Sequence, residues 1–443
     1  MQNQGIRDAR SLGTPKLLVL GLQHMFAMFG ATVLVPALTG LSVSATLLFA
    51  GLGTLFFHFV TKGKVPAFLG SSFAYLAGYA AIAPNGEAAL LPYACVGVAA
   101  SGLLYLLLAA LVRGFGANRV MRFFPPVVTG PIIICIGMTL ANSAINNCTG
   151  SWDIALVAIL TVVIFNIWGK GMLRIIPILL GVLVSYVYAA VTGRVDFSGV
   201  ASAAWIGLPV KMENTVFSLI GNCDANLLVT AIIAIMPIAF ATMIEHIGDI
   251  CAISSTVGAN FIADPGLHRT LLGDGLATSI ASLFGAPANT TYGENTGVLA
   301  LTRVYDPLVI RLAAVYAIIA SFCPKFAALV SAMPTGTIGG VSLILYGMIS
   351  AIGVRNLVEN RVDLAKSRNV IVVSLIISLA LGITFSTAGA ITFHVGEFTL
   401  NFSGLAVAAI VGIVVNAILP GKDYNFQNDY EYGKTTEDHG QML

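Results

Sequence analysis

Runs of about twenty apolar residues recur along almost the whole chain, and that is the length a helix needs to cross ~30 Å of hydrocarbon. The clear runs are Leu17–Pro36, Val43–Val60, Leu91–Val112, Val127–Ser143, Ile154–Trp168, Leu173–Val191, Leu227–Ile244 continuing toward Val257, Val309–Ala328, Ile338–Gly353, Val370–Phe385 and Leu405–Leu419. Leu267–Phe284 is a weaker run, interrupted by Asp274 and by several Gly and Ser residues. Only 9% of the 443 residues are charged, where soluble proteins carry roughly 25%. So little charge cannot cover a water-facing surface, and the chain reads as an all-α polytopic membrane protein. A net charge of +2 offers no basic field for nucleic acid. The six cysteines are scattered without a CxxC pair, so buried thiols are expected rather than zinc sites or disulfides. No cofactor is expected.

Two further stretches, Val65–Ala83 and Ala286–Leu301, are too short and too polar to be ordinary spans. Charge tests whether they cross. If both do, the chain has fourteen transmembrane segments with both termini on one side. Nineteen Lys and Arg residues then fall on that side, and only Arg194, Lys211 and Lys325 on the other. Dropping either segment scrambles this bias, so the expectation is fourteen spans, cytoplasmic termini and a location in the cell membrane. The first span is not expected to be a cleaved signal, because Gln23 and His24 interrupt its apolar run.

Fourteen spans divide into seven plus seven. Val65-Pro66-Ala67 opens the third segment and Ala286-Pro287-Ala288 opens the tenth; Gly137-Met138 in the fifth is echoed by Gly347-Met348 in the twelfth. An odd number of spans per repeat forces the halves into opposite orientations, the pattern of secondary transporters. Within the short segments, Phe68-Leu69-Gly70-Ser71-Ser72-Phe73 and Asn289-Thr290-Thr291-Tyr292-Gly293-Glu294 make poor spanning helices. Irregular backbone at that depth is tolerated where protein covers it or it lines a cavity. Each segment is therefore expected to run extended and turn helical near Ser72 or Gly293, at mid-membrane. The unpaired N–H groups of the two half-helices would then face carbonyl or anionic oxygens of a ligand.

Few ionisable residues fall inside spans. Glu245 and Asp249, four apart, share one helix face, and Glu294 sits in the tenth segment. A carboxylate at mid-bilayer costs about 2.5–3.5 kcal/mol on insertion scales, so these residues should face a cavity or a partner. They are candidates for binding N–H donors or a proton. Gln23 and His24 are candidates for the pocket wall. His246 lies roughly 100° around the helix from Glu245 and reads as a packing histidine at least as readily. Asp274, flanked by glycines near a span end, reads as interfacial.

These motifs resemble the nucleobase–ascorbate transporter family, most closely its uracil permease branch. The resemblance runs from about Leu17 to Leu419. It is carried by Gln23-His24-Met25-Phe26-Ala27-Met28-Phe29-Gly30, Leu69-Gly70-Ser71-Ser72-Phe73-Ala74, Glu245-His246-Ile247-Gly248, Asp264-Pro265-Gly266-Leu267-His268-Arg269 and Asn289-Thr290-Thr291-Tyr292-Gly293-Glu294-Asn295-Thr296-Gly297. It implies two inverted seven-span repeats and two domains. The core domain comprises 17–122 (spans one to four) and 227–330 (spans eight to eleven). The gate domain comprises 123–192 (spans five to seven) and 331–420 (spans twelve to fourteen), and would form homodimer contacts. Residues 1–16 and 421–443 are then cytoplasmic, and 193–226 connects the repeats externally. The resemblance further implies that Glu245 and Glu294 bind a pyrimidine ring and that the N–H groups of Phe73 and Gly293 meet its carbonyls. Ala31, Ser72, Tyr292 and Tyr346 would lie around the pocket. Glu245, Asp249, Glu294 and His24 are the expected proton-coupling residues. One position departs: Asp249 stands where the best-known bacterial uracil permease has a histidine, although other members carry Asp.

Uracil offers two ring N–H donors and two carbonyl acceptors, the complement of two carboxylates and two half-helix N–H groups. The expected function is proton-coupled uracil uptake by alternating access. The alternatives are a purine permease taking xanthine or urate, or an anion exchanger of the same architecture. In purine branches the position of Glu294 is commonly Gln. An enzyme is not expected, since no nucleophile motif, metal-ligand set or phosphate loop is present.

Overall fold

The structure, a computed structural model, describes residues 5–395 and 398–421; most of the expected cytoplasmic tail, 422–443, and residues 1–4 of the N-terminal segment lie outside the described residues. The chain is mostly helical. It opens with α1 (Thr14–Thr39) and α2 (Val43–Val60). Strand β1 (Leu69–Ser71) then runs toward α3 (Leu76–Ile82), followed by α4 (Leu91–Phe115), α5 (Ala117–Met121), α6 (Pro126–Cys148), α7 (Trp152–Trp168), α8 (Met172–Ile175) and α9 (Pro177–Val191). A connection carrying α10 (Ser198–Ser202) leads to α11 (Ala225–Ile235), α12 (Ala239–Val257) and α13 (Leu267–Leu283). Strand β2 (Asn289–Thr291) precedes α14 (Gly293–Thr302). The chain continues with α15 (Pro307–Ser321), α16 (Pro324–Ser331), α17 (Thr335–Glu359), α18 (Ser367–Thr384), strands β3 (Ala390–Val395) and β4 (Phe398–Ser403), and α19 (Gly404–Ile418).

By length and composition, seven helices among the described residues can cross a membrane, counting α11 with α12 as one. The bent pair α15–α16 makes an eighth candidate, and α7, α9 and α19 are shorter apolar helices. Helix starts are set locally. Ser42 accepts from the Ala45 N–H at 3.2 Å, Asp306 from Leu308 at 2.9 Å beside Pro307, and Ser403 from Ala406 at 3.3 Å, each meeting a donor that the helix itself leaves unpaired. The outer faces are apolar: Leu103, Leu107 and Leu111 of α4, and Leu156, Leu160 and Ile167 of α7, are all exposed. Such a surface belongs to a multi-pass membrane protein.

Two expected runs are broken, and one connection is structured. Leu173–Val191 divides into α8 and α9 at Pro177, which supplies no N–H to continue the preceding turn. Val309–Ala328 bends by 87° between α15 and α16, where Pro324 opens a new helix. The stretch between α18 and α19 is a hairpin, with Ala390 opposite Ser403 and Val395 opposite Phe398.

Small residues let helix backbones touch. A Cβ on Gly137 of α6 would lie 2.2 Å from the Tyr346 carbonyl oxygen of α17, and one on Gly353 of α17 would lie 2.6 Å from the Gly130 oxygen of α6. α4 and α13 meet the same way, with a Gly102 Cβ placed 2.5 Å from the Gly275 oxygen. In lipid, where tails are as apolar as leucine, such close approach supplies the packing attraction. The other main contacts are α2 with α15, α1 with α15, α4 with α11, α7 with α9 and α17, and α18 with α6 and α19.

Candidate functional site

The two short polar segments meet. β1 and β2 pair antiparallel, Leu69 opposite Thr291, Gly70 opposite Thr290 and Ser71 opposite Asn289. The ladder is extended at its ends by Ser72 N–H to Ala288 O at 2.9 Å and Tyr292 N–H to Phe68 O at 3.0 Å. A two-stranded pair leaves both outer edges exposed, and neighbouring helices hold each side. Thr54 of α2 brackets Leu69, donating to its carbonyl at 3.3 Å and accepting from its N–H at 2.9 Å. Thr278 of α13 donates to Asn289 O at 2.8 Å, and Asn289 Nδ2 reaches Phe49 O at 3.1 Å. The approach to β1 is held by His58, whose Nε2 lies 2.9 Å from Ala67 O. Arg311 Nε donates to the other ring nitrogen at 3.3 Å. Because a guanidinium only donates, Nδ1 accepts and Nε2 carries the hydrogen given to Ala67.

Each strand leads into a helix start. α14 begins at Gly293, as the sequence predicts. α3 begins at Leu76 rather than Ser72, because the Ser72 N–H is committed to the strand ladder and a tight turn, Leu76 N–H to Phe73 O at 3.1 Å, intervenes. Among the described residues neither the Phe73 N–H, in the turn before α3, nor the Gly293 N–H, in the first turn of α14, has a main-chain acceptor. The strands pack closely: a Cβ on Gly70 would stand 2.5 Å from the Tyr292 ring and 2.8 Å from Thr32 Oγ1. The Tyr292 hydroxyl donates to Ser71 O at 2.8 Å. Tyr292→Phe is expected to lower stability by about 0.5–1.5 kcal/mol, the usual net value of one such bond, measurable as a reduced melting temperature in detergent.

The carboxylates flank these helix starts. α12 packs against α14 and β2. Asp249 accepts from Thr291 Oγ1 at 2.8 Å, and its Oδ1 lies 3.9 Å from where a Cβ of Gly293 would stand. Glu245 lies one turn earlier on the same face, and Glu294 occupies the first turn of α14. Glu245, Asp249 and Glu294 are all only partly buried, and Gly293 is exposed. Ala31, Ser72, Phe73, Tyr292 and Tyr346 are buried, and the Phe73 and Tyr346 rings meet edge to face with centroids 6.1 Å apart. Ser72 Oγ, Thr290 Oγ1, Asn295 Oδ1 and Tyr346 Oη are buried around the strands without a hydrogen-bond partner among the described residues. Each such group costs about 1–3 kcal/mol unless something satisfies it.

His24 is fully buried, and its contacts are with Asn295: Asn295 Nδ2 lies 3.0 Å from His24 O and 3.2 Å from Nδ1. It is therefore tied to the residue after Glu294 and has no hydrogen bond to the three carboxylates among the described residues. Asp274 does not face the protein surface. It is fully buried, because α13 already starts at Leu267 and carries Asp274 inward. There it lies 3.2 Å from His246 Nδ1. Sequence reasoning missed Thr291 and Asn295 as partners, although both fall inside the Asn289–Gly297 motif. A cavity of about 450 Å³ lies elsewhere, lined by Ile6, Leu12, Val19, Leu20 and Val304 with Lys16 among them, and is too apolar to match these groups.

Interrupted segments from two distant parts of the chain, joined strand to strand beside intramembrane carboxylates, define a membrane transporter. The chain belongs to the nucleobase–ascorbate transporter family: the Permease family model matches residues 15–389. It is 42% identical to the uracil permease of Bacillus caldolyticus over 96% of both chains. It is 40% identical to the uracil permease of Bacillus subtilis over 99% of this chain and 98% of that one. Its fold is similar to the transmembrane domain of a cyanobacterium bicarbonate transporter, BicA, with a TM-score of 0.58 at 14% identity, covering 93% of this chain and 98% of that one.

Proposed function

We propose that this protein carries uracil into the cell together with protons, by alternating access. The observation that carries the reading is the pair of N–H groups of Phe73 and Gly293, without a main-chain acceptor among the described residues, at the ends of joined strands with Glu245 and Glu294 beside them. The N–H groups suit the two carbonyls of uracil, and the carboxylates suit its two ring N–H donors. Ser72, Tyr292, Ala31 and Tyr346 form the wall. Relatives at about 40% identity over nearly the whole chain bear the name uracil permease, which favours uracil over xanthine or urate. Two acidic groups at the helix starts oppose a bound anion, so the likeness to a bicarbonate transporter bears on fold alone.

The fold of this reading is fourteen spans in two inverted repeats, and the helix contacts support it. If span n of the first half corresponds to span n+7 of the second, each contact should have a counterpart. α4 with α13 is matched by α2 with α15, α1 with α15 by α4 with α11, α7 with α9 by α18 with α19, and α7 with α17 by α6 with α18. The strand pair and the α6–α17 pair map onto themselves. In this reading 17–122 and 227–330 form a core domain that holds uracil mid-membrane. It moves against a gate domain, 123–192 with 331–420, through which two copies associate. Both termini are cytoplasmic.

Substrate-competition uptake in proteoliposomes tests the proposal. Uracil should compete with labelled uracil whereas xanthine and sulfate should not, and an inward proton gradient should drive accumulation above equilibrium. Equal competition by xanthine, or accumulation indifferent to the gradient, would overturn the corresponding half of the proposal. Asp249→Asn is expected to lower gradient-driven accumulation at least tenfold while uracil affinity changes less than about threefold. Unchanged accumulation would remove Asp249 from the proton path. His24 enters this path through Asn295, the neighbour of Glu294.

A further inference from the structure

Behind Asp249 stands another acid, fully buried, that the uracil reading does not use. Asp274 of α13 and His246 of α12 both have no exposed side-chain surface, and His246 Nδ1 lies 3.2 Å from Asp274 Oδ2, within ion-pair distance, although neither Asp274 oxygen has a hydrogen-bond partner among the described residues. The same nitrogen lies 3.5 Å from Thr291 Oγ1, which is 2.8 Å from Asp249 Oδ2. The ring packs edge-on against Phe57, and Nε2 has no partner among the described residues. Glu245 lies on the same helix as His246, Glu294 on α14, and Tyr75 and Tyr105 on the side of α3 and α4; none of these is hydrogen-bonded to His246 among the described residues.

Two acids, one of them fully buried, thus stand beside two donors. An ionised carboxylate can only accept, so with Asp274 in that form the nitrogen facing it carries its hydrogen. With that hydrogen in place Nδ1 cannot accept from Thr291, and the hydroxyl is left to Asp249. We propose that His246 is a positioning residue for Asp249: by supplying the donor that Asp274 requires, it reserves the Thr291 hydroxyl for Asp249. Without the ring, Asp274 competes for that hydroxyl and Asp249 loses its fixed orientation toward the start of α14. The role requires a donor at this place, not a group that takes up a proton.

The proposal rests on the reading that Asp249 lies on the proton path. Its test compares gradient-driven uracil accumulation with uracil exchange at equal pH, in proteoliposomes holding the full-length protein. His246→Leu and Thr291→Val should each cut accumulation at least tenfold while exchange stays within about threefold of wild type. His246→Asn, which keeps an N–H near Nδ1 but cannot ionise, and Thr291→Ser, which keeps the hydroxyl, should restore accumulation. Wild-type accumulation by His246→Leu would overturn the proposal. So would failure of His246→Asn alongside it, since ionisation of the ring would then be what matters. If His246→Leu does not assemble, His246→Asn decides alone: accumulation near that of wild type supports the proposal, and a tenfold loss overturns it. A wild-type protein unaffected by the proton gradient would instead remove the symport reading itself.

Discussion

Glu245→Ala and Glu294→Ala are each expected to abolish measurable uracil binding. Each substitution removes a charged acceptor, about 1.5–3 kcal/mol for such a hydrogen bond, and leaves a ring N–H of the ligand buried without a partner, about 1–3 kcal/mol more. Together these amount to a loss of roughly 10²–10⁴-fold in affinity. Isothermal titration of uracil into purified protein reads the loss, and an unchanged elution profile with a retained melting temperature separates it from misfolding. Glu245→Gln keeps one acceptor and should lose less. Near-normal affinity in either alanine variant would defeat the assignment of the site.

The second large effect is steric. Gly70→Val should lower uracil affinity at least a hundredfold and reduce stability as well. A side chain there would enter the Tyr292 ring and Thr32 Oγ1, at 2.5 and 2.8 Å from its first carbon. Relief requires β1 to move away from β2, and overpacking of this kind typically costs 1–3 kcal/mol or more. The movement would break the Tyr292–Ser71 bond and shift the Phe73 N–H relative to the Gly293 N–H. Gly347→Ala is the matched control, because a Cβ there meets no heavy atom within 4 Å, and it should bind uracil as wild type does. A Gly70→Val protein with intact affinity would show that the strand crossing does not shape the site.

Much of this was legible in the sequence, for physical reasons. Apolar length marks helices that must bridge lipid, and the polar residues of Val65–Ala83 and Ala286–Leu301 mark backbone that cannot, so the two broken segments stood out. What the one-dimensional pattern could not give was pairing across hundreds of residues. Nothing in Asp274 or His246 taken singly distinguishes a buried acid–histidine contact from an interfacial acid and a packing ring. The contact depends on how α13 lies against α12. The hairpin at β3 and β4 was hidden because it falls between two apolar runs, where a plain connection serves equally well. The bend at Pro324 and the break at Pro177 carried a proline signal, but a continuous apolar run outweighed it. The delayed start of α3 follows from a hydrogen bond between Ser72 and Ala288 that local propensity does not contain.

The joining of β1 to β2 also bears on biosynthesis. Leu69–Ser71 leave the ribosome long before Asn289–Thr291, and until the later segment arrives the earlier one has main-chain groups with no strand to pair them. Insertion must therefore proceed through a half-made protein whose first broken segment is sheltered by its own helices or by the insertion machinery. Truncation anywhere before Asn289 leaves that segment permanently without its counterpart, a form that cellular quality control should recognise and degrade.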